Sequence, residues 1–169
     1  AHVRYVEKHY GEGDGNGTNV MNPTTVAELA EDASMEMEMT QIRGISSTVR
    51  VTKAKLGDRA RLIIREKIMT HGRQHAETDF TVDMDGADCS ADVVSRSVAK
   101  DESRQVFRSC INGNARCNGH TECDAIIMDR AHVSAIPELT ANDLDAALIH
   151  EAAIGKIAGE QLIKLMTLG

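Results

Sequence analysis

From Ala33 to Leu139 the sequence repeats one local pattern: short stretches of alternating apolar and polar residues, cut by Gly, Asn or Asp. Alternation places successive side chains on opposite faces of a strand, one face for a core and one for water. Met35, Met37 and Met39 alternate with Glu36, Glu38 and Thr40, and Val49 and Val51 with Arg50 and Thr52. Further stretches run over 61–69, 78–84, 93–98, 105–111, 122–128 and 132–136, and His2 to Tyr10 reads as another. The breaks fall at Gly57-Asp58, His71-Gly72, Asp85-Gly86, Asp101, Asn112-Gly113, Asn118-Gly119 and Asp129. Many short strands at near-regular spacing, with no helical period between them, predict an all-β sandwich, barrel or solenoid and argue against a βαβ sheet. A stacked β-solenoid fits the spacing.

The end of the chain changes character. Residues 159–168 (GEQLIKLMTL) place Leu162, Leu165 and Met166 on one face at helical spacing, with Gly169 as a C-terminal cap. A β-solenoid core over 1–157 and the start of a helical region over 158–169 follow as expectations. Residues 142–157 stay open between helix and strand: the Ala-rich DAALIHEAAI has helix propensity, and Asn142 and Asp145 sit like a cap and its N3 acid.

Composition excludes several functions. With net charge −7 and 2% aromatic residues, the chain has neither the cationic surface nor the stacking platforms of a nucleic-acid binder, and anionic membranes are disfavoured. Two Phe, two Tyr and no Trp also make it a poor carbohydrate-processing β-helix. No apolar run reaches transmembrane length, and no signal segment opens the chain. The four cysteines, Cys89, Cys110, Cys117 and Cys123, are therefore expected as reduced thiols in the cytoplasm. Ala1 is no natural initiator, so the start is expected to be processed or cut. The loop GEGDGNG over 11–17 lacks the Lys-Ser/Thr ending of a phosphate cradle.

Residues 110–123, CINGNARCNGHTEC, hold Cys117, His120 and Cys123 three apart with Cys110 upstream. Thiolate and imidazole suit zinc, copper(I) or iron–sulfur clusters. The same run also reads as a strand–turn–strand with Asn118-Gly119 at its tip and buried thiols. His150-Glu151 lies inside the apolar frame 146–154, where a buried titratable pair needs partners, although a solvent-facing pair is the simpler reading. The methionine stripe reads as core packing. A zinc-binding all-β structural or interaction domain using Cys117, His120 and Cys123 is the alternative to the reading below.

The stretches SRSVAKDESRQVF, INGNARCNGHTECDAIIMD, VSAIPELTANDLDAALIHEAAIGKI and GEQLIKLMTLG closely resemble the core of the SufB/SufD family, scaffold components of SUF iron–sulfur cluster assembly. The earlier MEMEMTQI and HGRQHAETDF look like the family less distinctively. The resemblance implies a right-handed parallel β-helix followed by a C-terminal helical region. It implies a scaffold rather than an enzyme, carrying a transient iron–sulfur cluster for apo iron–sulfur proteins and working with the ABC-type ATPase SufC. The SufB-type functional cysteine maps to Cys123, the SufB-type glutamate to Glu151 and the SufD-type histidine to His150, which makes 150–151 strand. Cys123, His150 and Glu151 are the implied cluster or metal ligands, with Cys117 and His120 as second-line participants. Because one chain carries ligands that SufB and SufD divide, a homodimer is expected, with a SufB/SufD-type pairing as the family's own form. The chain ends at Gly169, where the family continues into ATPase-docking helices, so a fragment or a short member is expected.

Overall fold

The computed structural model describes residues 1–11, 19–157 and 167. Its elements are β1 (His2–Tyr10), β2 (Val20–Met21), β3 (Thr24–Leu29), β4 (Ser34–Arg43), β5 (Ser47–Leu56), β6 (Arg61–Thr70), β7 (His75–Met84), β8 (Cys89–Ala99), β9 (Arg104–Gly113), β10 (Cys117–Ile127), β11 (His132–Ala141) and β12 (Ala146–Lys156). The order β1-β4-β6-β8-β10-β12 builds one sheet, called sheet one here. The order β11-β9-β7-β5-β2, with β3 also on β5, builds sheet two. Every pairing is parallel. The chain crosses one sheet, turns, crosses the other and returns one strand further on, which is a parallel β-solenoid. Ser34, Arg61, Cys89, Cys117 and Ala146 open successive strands of sheet one, so each coil after the first takes 27 to 29 residues.

Alternation within strands is what closes this fold. On β6, Leu62, Ile64, Glu66, Ile68 and Thr70 are buried, while Arg61, Lys67 and Met69 are exposed. Apolar inward residues from both sheets merge into one core that includes Met37, Leu56, Leu62, Ile64, Phe80, Val82, Met84, Val93 and Ile111. The Met37 and Met39 side chains are buried in it, as their spacing predicts. Two phenylalanines supply the only aromatic pair among the described residues, Phe80 and Phe107, with ring centroids 5.9 Å apart.

The corners stack as regularly as the strands. At one corner Asp32, Arg59 and Asp88 all take positive φ, and Arg59 donates to Asp32 at 2.7 Å while Arg116 donates to Asp88 at 2.7 Å. At the other, Gly72, Asp101 and Asp129 take positive φ; the Gly72 N–H donates to Asp101 and the Asp101 N–H to Asp129. Aspartate tolerates this left-handed backbone because its short side chain bonds locally. Gly86 is required for a different reason: a Cβ there would lie 2.0 Å from the Gly57 carbonyl carbon of the coil below.

One local expectation is corrected, and the stretch left open between helix and strand is strand, as the resemblance implies for 150–151. Asn118-Gly119 is no turn but lies inside β10. Gly119 faces the core, where a Cβ would meet Leu148 at 2.7 Å and Ile111 at 3.0 Å, so the glycine answers crowding rather than a bend. Residues 146–156 form β12 despite their helix propensity, because pairing with β10 over all eleven residues outweighs a preference of tenths of a kcal/mol per residue. The helix expected over 158–169 lies outside the described residues, Thr167 apart.

Truncating a filled interior position should cost more than removing a corner ion pair. Leu62→Ala should lower unfolding free energy by roughly 2–5 kcal/mol in chemical denaturation. Gly86→Ala should also shift the midpoint strongly, whereas Arg59→Ala, at an exposed corner, should leave it nearly in place.

Candidate metal and thiol site

The interior is not uniformly apolar. Beside the apolar half runs a polar lane in which Arg50, Glu66, Thr78, Ser95, Ser109 and Thr121 are all buried. The Glu66 carboxylate accepts from Thr78 at 2.9 Å and Ser95 at 2.7 Å, and lies 3.7 Å from the Arg50 guanidinium. Arg50 in turn donates to Glu7 at 3.0 Å. Burial pushes the Glu66 carboxyl above its ordinary range against the pull of Arg50. Such a pair tolerates the loss of both charges better than the loss of one.

Cys123 ends this lane. Ser95 is its register partner on β8 and Ala152 on β12, and its thiol is buried. Burial, with the charges of Glu66 and Asp124, pushes the thiol up to about 11, so it is protonated at neutral pH. On β12, His150 pairs with Thr121 of β10 and faces the same interior. Its Nδ1 is enclosed and has no hydrogen-bond partner. Burial lowers its pKa, with a backbone bond at Thr121 opposing.

The outer face of the same two strands carries a different set. His120 and Glu122 on β10 and Glu151 on β12 bring one ligand atom each to within 4.8 Å of one another. His120 is hydrogen-bonded through Nδ1 to Asp92 at 2.8 Å and through Nε2 to Glu151 at 3.2 Å, and Arg65 donates to Asp92 at 2.5 Å. The Asp92 bond raises the His120 pKa against partial burial, aided by Glu151. Glu122 is raised as well, first by sharing a hydrogen bond with Asp124.

The strand pleat therefore sorts the expected residues. Cys123 and His150 face inward on neighbouring strands, while Glu151 faces outward beside His120. Cys117 is buried next to Cys89 on the inner face and Cys110 lies on the outward side of β9, so Cys117, His120 and Cys123 cannot close on one zinc ion. Burial raises the Cys89 thiol to about 11 and also raises Cys117, as expected of thiols that serve as core. Sequence reasoning missed Asp92, Glu122, Arg50 and Glu66. Glu66 was findable, since it interrupts the apolar phase Leu62, Ile64, Ile68; Glu122 shares a face with His120 two residues away. Asp92 needed the coil register, which pairs it with His120.

Two measurements check these environments. In a histidine NMR titration His120 should titrate above the ordinary imidazole value and His150 below it, and Asp92→Asn should bring His120 down. The stability that His120 draws from its ion pairs should be complete below the ordinary value and fade as pH rises through its raised one. Glu66→Ala should destabilise the fold by roughly 3–5 kcal/mol, and pairing Glu66→Leu with Arg50→Met should recover much of that in the same denaturation assay.

Comparison with known proteins places the chain in a family. A family model described as the SufBD core domain of SUF-system iron–sulfur cluster assembly matches residues 1–169. An iron–sulfur cluster assembly SufBD family protein of Methanocaldococcus jannaschii is 28% identical over 171 residues, covering 100% of this chain and 54% of the relative. One from Pyrococcus horikoshii is 28% identical over 169 residues, covering 99% and 51%. A second from that organism is 43% identical over 77 residues, covering 44% of this chain and 17% of the relative. The chain thus spans about half the length of the first two of these relatives. With a family model matched from end to end on a parallel β-solenoid, the chain belongs to the SufBD family of iron–sulfur cluster assembly proteins.

Proposed function

We propose that the chain is a scaffold on which an iron–sulfur cluster is assembled before transfer to apo-proteins, an assembly component rather than an enzyme. The observation that carries this reading is the orphaned Nδ1 of His150, enclosed on the same interior face as the Cys123 thiol one strand away. A buried nitrogen without a hydrogen-bond partner is costly, and a soft ion or cluster held jointly with a thiolate would satisfy it. The cluster is cargo: mixed thiolate and imidazole ligation holds it less firmly than four thiolates would.

The thiol must lose its proton to serve. Because burial holds it at about 11, iron displaces the proton on binding, and cluster loading should improve as pH rises. Among the described residues β12 pairs on one side only, with Leu144 and Ile149 exposed beside it. That edge suits a second copy or a SufB/SufD-type partner, whose ligands would complete the site next to His150. A SufC-type ATPase supplies ATP hydrolysis in this reading, and the setting is cytoplasmic. No helix among the described residues is long and apolar enough to cross a membrane.

Anaerobic reconstitution with iron and sulfide should give a labile brown chromophore in the wild type, reduced or absent in Cys123→Ala and destabilised in His150→Ala. A wild-type chain that stays colourless, or a Cys123→Ala chain that loads normally, would overturn the assignment.

A further inference from the structure

Glu151 was expected beside Cys123, yet it stands on the far side of the sheet, and its neighbours there form a ligand set of their own. His120 offers Nε2 and Glu122 and Glu151 offer carboxylate oxygens, all within 4.8 Å. One imidazole and two carboxylates make a hard-to-borderline set that suits Fe²⁺, Mn²⁺, Co²⁺ or Zn²⁺ and not copper(I).

The His120 ring is held in the manner of a metal-ligating histidine. Asp92 engages Nδ1 at 2.8 Å and is itself gripped by Arg65 at 2.5 Å, which turns Nε2 toward the carboxylates. Proteins commonly orient a metal-ligating imidazole with a carboxylate on its other nitrogen. Charge points the same way. Among the described residues, Asp92 pairs with Arg65, Glu122 and Asp124 pair with Arg96 at 3.5 and 3.6 Å, and Lys67 lines the neighbouring groove with Arg96 and Asp124, so four carboxylates face three cationic side chains. With the imidazole neutral, the patch is short of positive charge, and a dication would supply it.

We propose that His120, Glu122 and Glu151 form a divalent-cation site on the outer wall of the last coils, with Asp92 as its positioning residue, and that its physiological ion is ferrous iron on its way to the cluster. The choice of iron rests on the scaffold reading; the site itself does not. Three protein ligands on a partly exposed wall leave coordination positions to water, so the ion is held loosely enough to be passed on. Glu122 and Cys123 are consecutive residues on opposite faces of β10, so the ion waits back to back with the thiol. The edge of β12 left unpaired among the described residues is the short way round.

Cobalt titration of the reduced protein tests this, read by ligand-field absorption and calorimetry. Wild type should bind Co²⁺ with an oxygen- and nitrogen-ligand absorption band that Cys123→Ala retains in full. His120→Gln and Glu122→Gln should abolish binding, and Asp92→Asn should weaken it about tenfold, with circular dichroism showing each variant folded. No binding by wild type, undiminished binding by His120→Gln, or loss of all Co²⁺ binding in Cys123→Ala would each overturn the proposal. The scaffold reading stands or falls separately, on the iron–sulfur chromophore.

Discussion

Parallel, in-register pairing between successive coils is the constraint on which everything else rests. Apart from one register shift where β4 meets β1 at Tyr10, the strands of sheet one lie residue for residue on the strand a coil earlier, as when Cys117 to Ile127 meet Cys89 to Ala99. Backbone groups are satisfied along the solenoid axis only if every coil takes nearly the same length. That leaves side-chain direction as the one free variable. The pleat then decides, residue by residue, what enters the core and what meets water.

The interior shows what that rule permits. Rows such as Leu62, Ala91, Gly119 and Leu148 keep apolar residues in register, two small ones between two large. Four residues further along the strands the row becomes Met39, Glu66, Ser95, Cys123 and Ala152. A buried carboxylate matched by Arg50 is a poor source of stability but a strong source of register, since a slipped strand would strand both charges. The same lane gives Cys123 its polar neighbours while keeping the thiol neutral.

Much of this was legible in the sequence, for a physical reason. Period-two alternation and Asp/Gly corners are local signals, and Gly57-Asp58, Asp85-Gly86, Asp101 and Asp129 all fall at corners. The family's contiguous motifs also pointed to Cys123 and His150, and the pleat puts both on the inner face. What failed was a local turn signal, since Asn118-Gly119 runs straight through a strand; Ala-rich 146–156, open on local preference alone, is strand because long-range pairing prevails, as the resemblance implies. The division of the site was also hidden, because inside and outside are assigned by phase, and neighbouring letters such as His150 and Glu151 look like one motif. Asp92 stands a whole coil from His120, a separation that no short pattern spans.

The single strand thickness between Glu122 and Cys123 makes this region unusually sensitive to chain length. One residue gained or lost at the 142–145 corner, if β12 moved with it, would turn Glu151 inward and His150 outward. An imidazole and a carboxylate would trade places across the wall without any change in composition. Length variation among related chains should therefore collect at corners whose downstream strands carry no ligands, and the last corner before β12 should keep its length even where its residues change.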